Sequence, residues 1–270
     1  MNMRANLLLL CAFVLSACAC APEPAVSVVA HRGFWNCEAA GFSQNSLASL
    51  RCAQEAGFWG SEFDVQLTSD DSLVVFHDSR IGDTLIVETP WSAIAGHRLP
   101  NGEKIPSLDE YLEQASACAT TTLVFEIKET PSHERNILLT QKCVGALKAH
   151  GLYDPSRVIF ISFCQDICEY LGENAPGFVT EALSEFYDSP EGYVSRGIRG
   201  VDLMQKSYLE DAGLAAAHMA AGLRTNVWTV NDMEKASALM DMGIQEFTSD
   251  VPDQIRATIA EKGLKELKIK

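Results

Sequence analysis

The chain has 270 residues, 47% hydrophobic and 21% charged, with a formal net charge of −15. That length fits one α/β barrel or two small domains. So acidic a balance excludes nucleic acid as a partner and charge-driven docking on anionic membranes, but it permits an anionic small substrate neutralised locally by a metal and a few basic groups.

Near the N-terminus, Arg4 precedes an apolar stretch, Leu7 to Leu15, too short to span a bilayer and typical of a signal-peptide core. It closes on Leu15-Ser16-Ala17-Cys18, which resembles the lipobox of bacterial lipoproteins. The resemblance implies cleavage before Cys18, diacylation of that thiol, and a protein lipid-anchored in the cell envelope on the periplasmic or surface side. A plain secretory signal cut near Ala17 or Ala19 is the alternative. Residues 1–17 are thus expected to leave, and loss of Arg4 takes the charge to −16 (20 basic against 36 acidic). A tether over 18–26 follows, with Pro22 and Pro24, and its last eight residues reach at most about 28 Å at ~3.5 Å each. Export permits disulfides. With Cys11 and Cys18 set aside, seven of the nine cysteines remain, so at least one is unpaired within the chain, and the sequence fixes no pairing. No CxxC pair exists to suggest structural zinc, and most of these cysteines read as small buried hydrophobes.

From residue 27 onward, β-branched apolar runs alternate with helical periodicity. Strands are predicted at Ser27–Ala30, Glu62–Leu67, Leu73–Phe76, Leu123–Lys128, Val158–Ser162, Phe178–Ala182, Gly200–Leu203, Thr225–Val230 and Glu246–Thr248. Helices fit Ser46–Ala56, Leu108–Ala117, Glu134–His150, Gln165–Gly172, Leu209–Gly222, Met233–Gly243 and Pro252–Lys262. Setting aside the short excursion at Leu73–Phe76 leaves eight βα units, which predict a single-domain (β/α)8 TIM barrel over 27–262, with a C-terminal tail at 263–270. An open doubly wound sheet is disfavoured because no glycine-rich phosphate loop follows the first strand. The irregular stretch from Ser79 to Pro106 is long enough to form a loop over the barrel mouth.

The chemistry gathers where these strands stop. Glu62 and Asp64 are spaced i, i+2, so both point to one side of a strand while Phe63, Val65 and Leu67 take the other. Paired acids at a strand end suggest a hard-cation site. His31-Arg32-Gly33, His77-Asp78 and Glu126-Ile127-Lys128 end three further apolar runs and place imidazole, base and acid on the same face.

Taken together, the chain resembles the glycerophosphodiester phosphodiesterases over about residues 27–255. The motifs that carry the resemblance include His31-Arg32-Gly33, Gln44-Asn45-Ser46, Glu62-Phe63-Asp64-Val65, His77-Asp78, Glu126-Ile127-Lys128, Trp228-Thr229-Val230-Asn231 and Thr248-Ser249-Asp250-Val251-Pro252. The resemblance implies one divalent cation held by Glu62, Asp64 and Glu126, with His31 and His77 as the acid–base pair. It also implies phosphate contacts from Arg32 and Lys128, and Trp228 packed against the alcohol part of a glycerophosphodiester substrate. Three carboxylates without a thiolate favour Ca2+ or Mg2+ over zinc. One departure is visible: Gln44 stands where relatives usually carry a glutamate, which removes a negative charge near Arg32 or the metal. Asp250 with Pro252 reads as shaping the last turn rather than touching substrate. Two other functions fit the same barrel. One is phospholipase D-like action on intact phospholipid, for which Trp91, Ile94 and Leu99 would have to be exposed. The other is a non-catalytic envelope lipoprotein that binds phosphodiesters.

Overall fold

The computed structural model describes residues 25–269. The expected signal segment, Cys18 and most of the expected tether lie outside the described residues. Eight parallel strands close into a barrel: β1 (Ala25–Ala30), β2 (Gly60–Leu67), β3 (Thr122–Ile127), β4 (Val158–Ser162), β5 (Val179–Ala182), β6 (Gly200–Met204), β7 (Arg224–Trp228) and β8 (Glu246–Ser249). Closure is direct, since β1 pairs with β2 on one side and with β8 on the other. Each strand is followed by a helix, as the alternation of periods predicts.

Side-chain alternation along β2 divides its residues between two environments. Phe63, Val65 and Leu67 pack outward against Leu108, Tyr111, Leu112 and Leu139 of the surrounding helices. Helix Leu108–Ser116 presents Leu108, Tyr111, Leu112 and Ala115 to that layer, one face at i, i+3, i+4 and i+7, and a capping box from Ser107 and Glu110 fixes its start. Glu62 and Asp64 take the opposite, inward face. Registration across β2 and β3 sets Asp64 opposite Glu126, so three acids converge near the C-terminal ends of two adjacent strands. That end of a parallel barrel is where its loops gather and ligands bind.

Four details differ from the sequence expectation. The helix expected over Leu209–Gly222 is two helices, Gln205–Glu210 and Ala212–Ala220, broken at Asp211, whose carboxylate caps the second. A short helix, Pro190–Val194, links β5 and β6. Beyond the last helix, Lys265–Glu266 pairs parallel with Ala25–Val26, and Arg256 grips Glu266 at 2.9 and 3.0 Å. The stretch from Ser79 to Pro106 is ordered into a small hairpin and short helical turns around its own core of Val74, Ile86, Ile94, Leu99 and Ile105. Ile94 and Leu99 are buried there and Trp91 packs against them, so these residues do not form the exposed apolar face that a lipid-docking loop would need.

Candidate active site

The turn after β1 is built to present charge. Arg32 and Gly33 both have left-handed φ, 53° and 77°. A side chain at Gly33 would collide with Ser49 Oγ at 2.4 Å, so only glycine fits this approach. The strained turn aims the Arg32 backbone N–H at Glu62 Oε2 (2.7 Å), while its guanidinium donates to Gln44 Oε1 (2.7 Å) and lies 3.8 Å from Asp64 Oδ2. Gln44 therefore acts on arginine orientation. Asn45, also at positive φ, donates to Asp64 Oδ2 at 2.7 Å and accepts from the Asp64 N–H at 3.2 Å.

Glu62, Asp64 and Glu126 each offer an oxygen within 4.8 Å of the others, and all three are buried. Lys128, two positions beyond Glu126 on the same side, bridges Asp64 Oδ1 at 2.7 Å and Glu126 Oε1 at 2.6 Å. Glu62 Oε1 is buried with no hydrogen-bond partner. Crowding shows in the proton affinities. Burial, then repulsion from Asp64 and Glu126, pushes Glu62 well above the usual carboxylate range. Burial, then Asp64, pushes Glu126 up to about 8. Asp64 is pushed upward by burial too, but Lys128, His77 and Arg32 outweigh it and hold the group below its ordinary value. Lys128 is lowered by burial and raised by Asp64 and Glu126, ending at about 12. The cluster thus carries more acid than its bases neutralise. Three oxygen donors with an unpartnered buried oxygen match what a hard divalent cation requires, and no thiolate competes.

Both predicted histidines flank this cluster. His31 Nδ1 bonds Asp250 Oδ1 at 2.8 Å, and its Nε2 lies 4.0 Å from Glu62 Oε2. His77 Nδ1 bonds Asp78 Oδ1 at 2.7 Å. Burial is the largest influence on His77 and leaves its pKa below the ordinary imidazole value. One cavity is lined by His31, Arg32, Glu62, His77, Glu126 and Trp228, with Ile161, Phe163 and Leu183 forming an apolar wall. Lys128 opens onto the adjoining cleft with His77 and Gln66. Trp228 donates its indole N–H to the Asp202 carbonyl (3.0 Å) and meets Phe163 edge-on at 5.5 Å. Seven of the eight residues expected in the site therefore line one connected space, and Asp64, fully buried, lies behind it against Lys128, Arg32 and Asn45.

Sequence reasoning missed several positioning groups. Asp250 does more than shape a turn: it also accepts from Trp35 Nε1 at 3.0 Å and Asn231 Nδ2 at 2.7 Å, which fixes the carboxylate that orients His31. Burial opposes the charge, but these bonds, led by His31, hold its pKa down at about 2. Gln66 is the third inward position of β2 after Glu62 and Asp64, and its amide donates to the carbonyls of Phe76, His77 and Asp78 at 2.7, 3.2 and 2.6 Å. The period of two that exposed the acid pair could have found it. Phe163 had no local signal. The histidines outside the site serve elsewhere: His133 pairs with Asp166, His150 with Asp109, and His218 lies buried beside Tyr208.

Comparison with known proteins decides the family. Residues 31–254 match the model of the glycerophosphoryl diester phosphodiesterase family. The chain belongs to that family. As a glycerophosphoryl diester phosphodiesterase family member it is a phosphoric diester hydrolase. It is 35% identical over 240 residues to a glycerophosphodiester phosphodiesterase of Caldanaerobacter subterraneus, covering 84% of this chain and 95% of that one. A glycerophosphodiester phosphodiesterase structure from Parabacteroides distasonis superposes with a TM-score of 0.85 at 33% identity, over 89% of this chain and 99% of the other. A phosphodiesterase of Oleispira antarctica, solved in complex with the product sn-glycerol-3-phosphate, superposes with a TM-score of 0.74 at 26% identity, over 88% of this chain and 97% of the other.

Proposed function

We propose that this protein hydrolyses glycerophosphodiesters to an alcohol and glycerol 3-phosphate, using one divalent cation, Ca2+ or Mg2+, held by Glu62, Asp64 and Glu126. The observation that carries the reading is the cluster itself: three buried carboxylates within 4.8 Å, one oxygen unpartnered, with an imidazole on either side. The cation would supply Lewis-acid polarisation of a phosphoryl oxygen. The other functions fall to the chain's own residues. Arg32 and Lys128 offset the phosphodiester charge, which otherwise repels a nucleophile and grows on the equatorial oxygens as the reaction proceeds. An alkoxide leaves poorly, so one imidazole of the His31 and His77 pair protonates it while the other takes a proton from the attacking group. That group is water, or the neighbouring glycerol hydroxyl acting through a cyclic phosphate. Asp250 and Asp78 engage the Nδ1 atoms and leave both Nε2 atoms for this work. Trp228, with Phe163, gives the apolar wall against which the alcohol part packs.

The test is a panel of glycerophosphodiesters with different head groups, set beside long-chain phospholipids and assayed with and without a chelator. Release of glycerol 3-phosphate from the panel, abolished by chelation, is expected. Turnover confined to intact phospholipid points instead to the phospholipase D-like reading, and absence of any turnover points to a binding lipoprotein. The same proposal places the enzyme at the membrane of the cell envelope through a lipid on Cys18. Supporting it are the apolar run and the Leu15-Ser16-Ala17-Cys18 sequence. Cys18→Ala should move the protein from the membrane fraction to the soluble fraction.

A further inference from the structure

Away from the catalytic cluster, two thiols sit where the site's first loop meets its helix. Cys37 precedes the short 3-10 segment Glu38–Ala40, and Cys52 lies in helix Leu47–Glu55. The two segments are laced together. The Phe34 N–H donates to the Ser49 carbonyl at 2.9 Å, and the Cys37 thiol donates to the Phe34 carbonyl at 3.2 Å. Ser49 and Cys52 are three residues apart on one helix and share a face. The lacing, with the 3-10 segment packed on the helix, therefore brings Cys37 over the face that carries Cys52. Both are free thiols in this structure, with Cys37 half-buried and Cys52 buried.

We propose that Cys37 and Cys52 form a disulfide in an oxidising compartment, clamping the segment after β1 onto helix Leu47–Glu55. The oxidant is a disulfide donor, such as oxidised glutathione or a thiol–disulfide oxidoreductase. Cys37 is the more accessible, and its thiolate attacks the donor, releasing one donor thiol. The Cys52 sulfur then attacks the mixed disulfide at Cys37 Sγ and expels the second donor thiol. One donor S–S bond breaks and one S–S bond forms in the protein. The two protons lost by the cysteines end on the donor thiols. This order follows from the environments: burial, then the Cys37 thiol, pushes Cys52 up to about 11, so Cys52 is a poor target for reagents from solution. The remaining cysteines among the described residues have other engagements. Asn136 donates to the Cys164 sulfur at 3.2 Å, the Cys168 thiol is directed at the Ser162 carbonyl, Cys143 is fully buried, and Cys118 lies beside Thr120. The clamp would also act at the site, because Cys37 is two residues from Trp35, which helps to fix Asp250 and through it His31.

The experiment needs no turnover and is therefore independent of the catalytic reading. Full-length protein is equilibrated in oxidised and reduced glutathione, alkylated, and digested with trypsin without reduction. Cleavage after Arg32, Arg51 and Arg80 isolates Cys37 in the peptide Gly33–Arg51 and Cys52 in Cys52–Arg80. The expected result is one cross-linked pair of these two peptides, absent from C37S and C52S. Reduction should lower Tm of the wild type by about 5–10 °C and leave C37S and C52S unmoved. Alkylation of both thiols in the oxidised wild type, or a bridge from either to a different cysteine, overturns the proposal.

Discussion

Two clusters of buried carboxylates share the interior of this barrel, and they differ in where they stand relative to the cavity. On the β5–β8 side, Glu181, Asp202 and Glu246 are buried together, Asp202 against the cavity and the other two outside its lining. Arg224, at the N-terminal end of β7, answers them from the closed end. Its Nε donates to Glu246 Oε1 at 2.7 Å, its Nη2 bonds the same oxygen, and Nε lies 3.5 Å from Glu181 Oε1. Asn226 adds a bond to Glu181 Oε2 at 3.3 Å. Burial first, and then mutual repulsion, pushes Glu181 and Asp202 well above the usual carboxylate range. At the C-terminal mouth, Lys128 reaches two of three acids, and Glu62 keeps an unpartnered oxygen. Arg224 likewise reaches only two of its three acids, and Asp202 Oδ1 and Glu246 Oε2 are also without a hydrogen-bond partner. What separates the clusters is place, because Glu62 and Glu126 of the upper cluster line the cavity beside both histidines, whereas Glu181 and Glu246 of the lower one do not. In a parallel barrel the first arrangement suits stability and the second suits a ligand.

Substitutions can break this comparison. Glu62→Gln or Glu126→Gln should lower kcat by about 10^3 or more, the order expected when several kcal/mol of metal-assisted stabilisation are lost, with Tm held or raised. Arg224→Met should do the reverse, costing about 3–5 kcal/mol in denaturant unfolding while kcat stays within a few-fold, because it strands buried acids away from the chemistry. His31→Ala should reduce kcat by about 10^2–10^4 with circular dichroism unchanged. Asp250→Asn should act through His31, lowering kcat by about 10–100-fold and altering the pH profile, whereas a purely structural role would move Tm instead.

A pH titration sharpens the comparison with a smaller effect. The folded-state pKa of Glu126, about 8, lies above its unfolded value of about 4.3. Its contribution is therefore fully present below the unfolded value and is lost as pH rises through the folded one. Cation-free protein should lose Tm from about pH 5 to pH 8, and Ca2+ or Mg2+ should restore most of that loss at the upper end. Equal Tm with and without cation at pH 8 would leave the upper cluster with no ligand to explain it.

The candidate site was largely legible in the sequence because strand periodicity is local. Glu62 and Asp64 share a side by alternation alone, and His31, His77 and Lys128 follow from standing at strand ends. What escaped depends on registration between distant segments. The Asp250 grip on His31 joins residues 219 apart in sequence, whereas Gln44, expected near Arg32 or the metal, is brought onto Arg32 at the left-handed turn. Glu181, Asp202 and Glu246 each occupy one inward position of a separate short strand, so no single run of residues exposes their convergence. The break at Asp211 was hidden by apolar residues that continue helical spacing across a side-chain cap.

The most direct measurement is turnover of a glycerophosphodiester by wild type and Glu126→Gln, each stripped with chelator and then titrated with Ca2+ or Mg2+. The account predicts that stripped wild type is inactive and recovers fully with cation, while Glu126→Gln stays near background at concentrations that saturate the wild type. Undiminished turnover by the stripped wild type, or by Glu126→Gln, would contradict it.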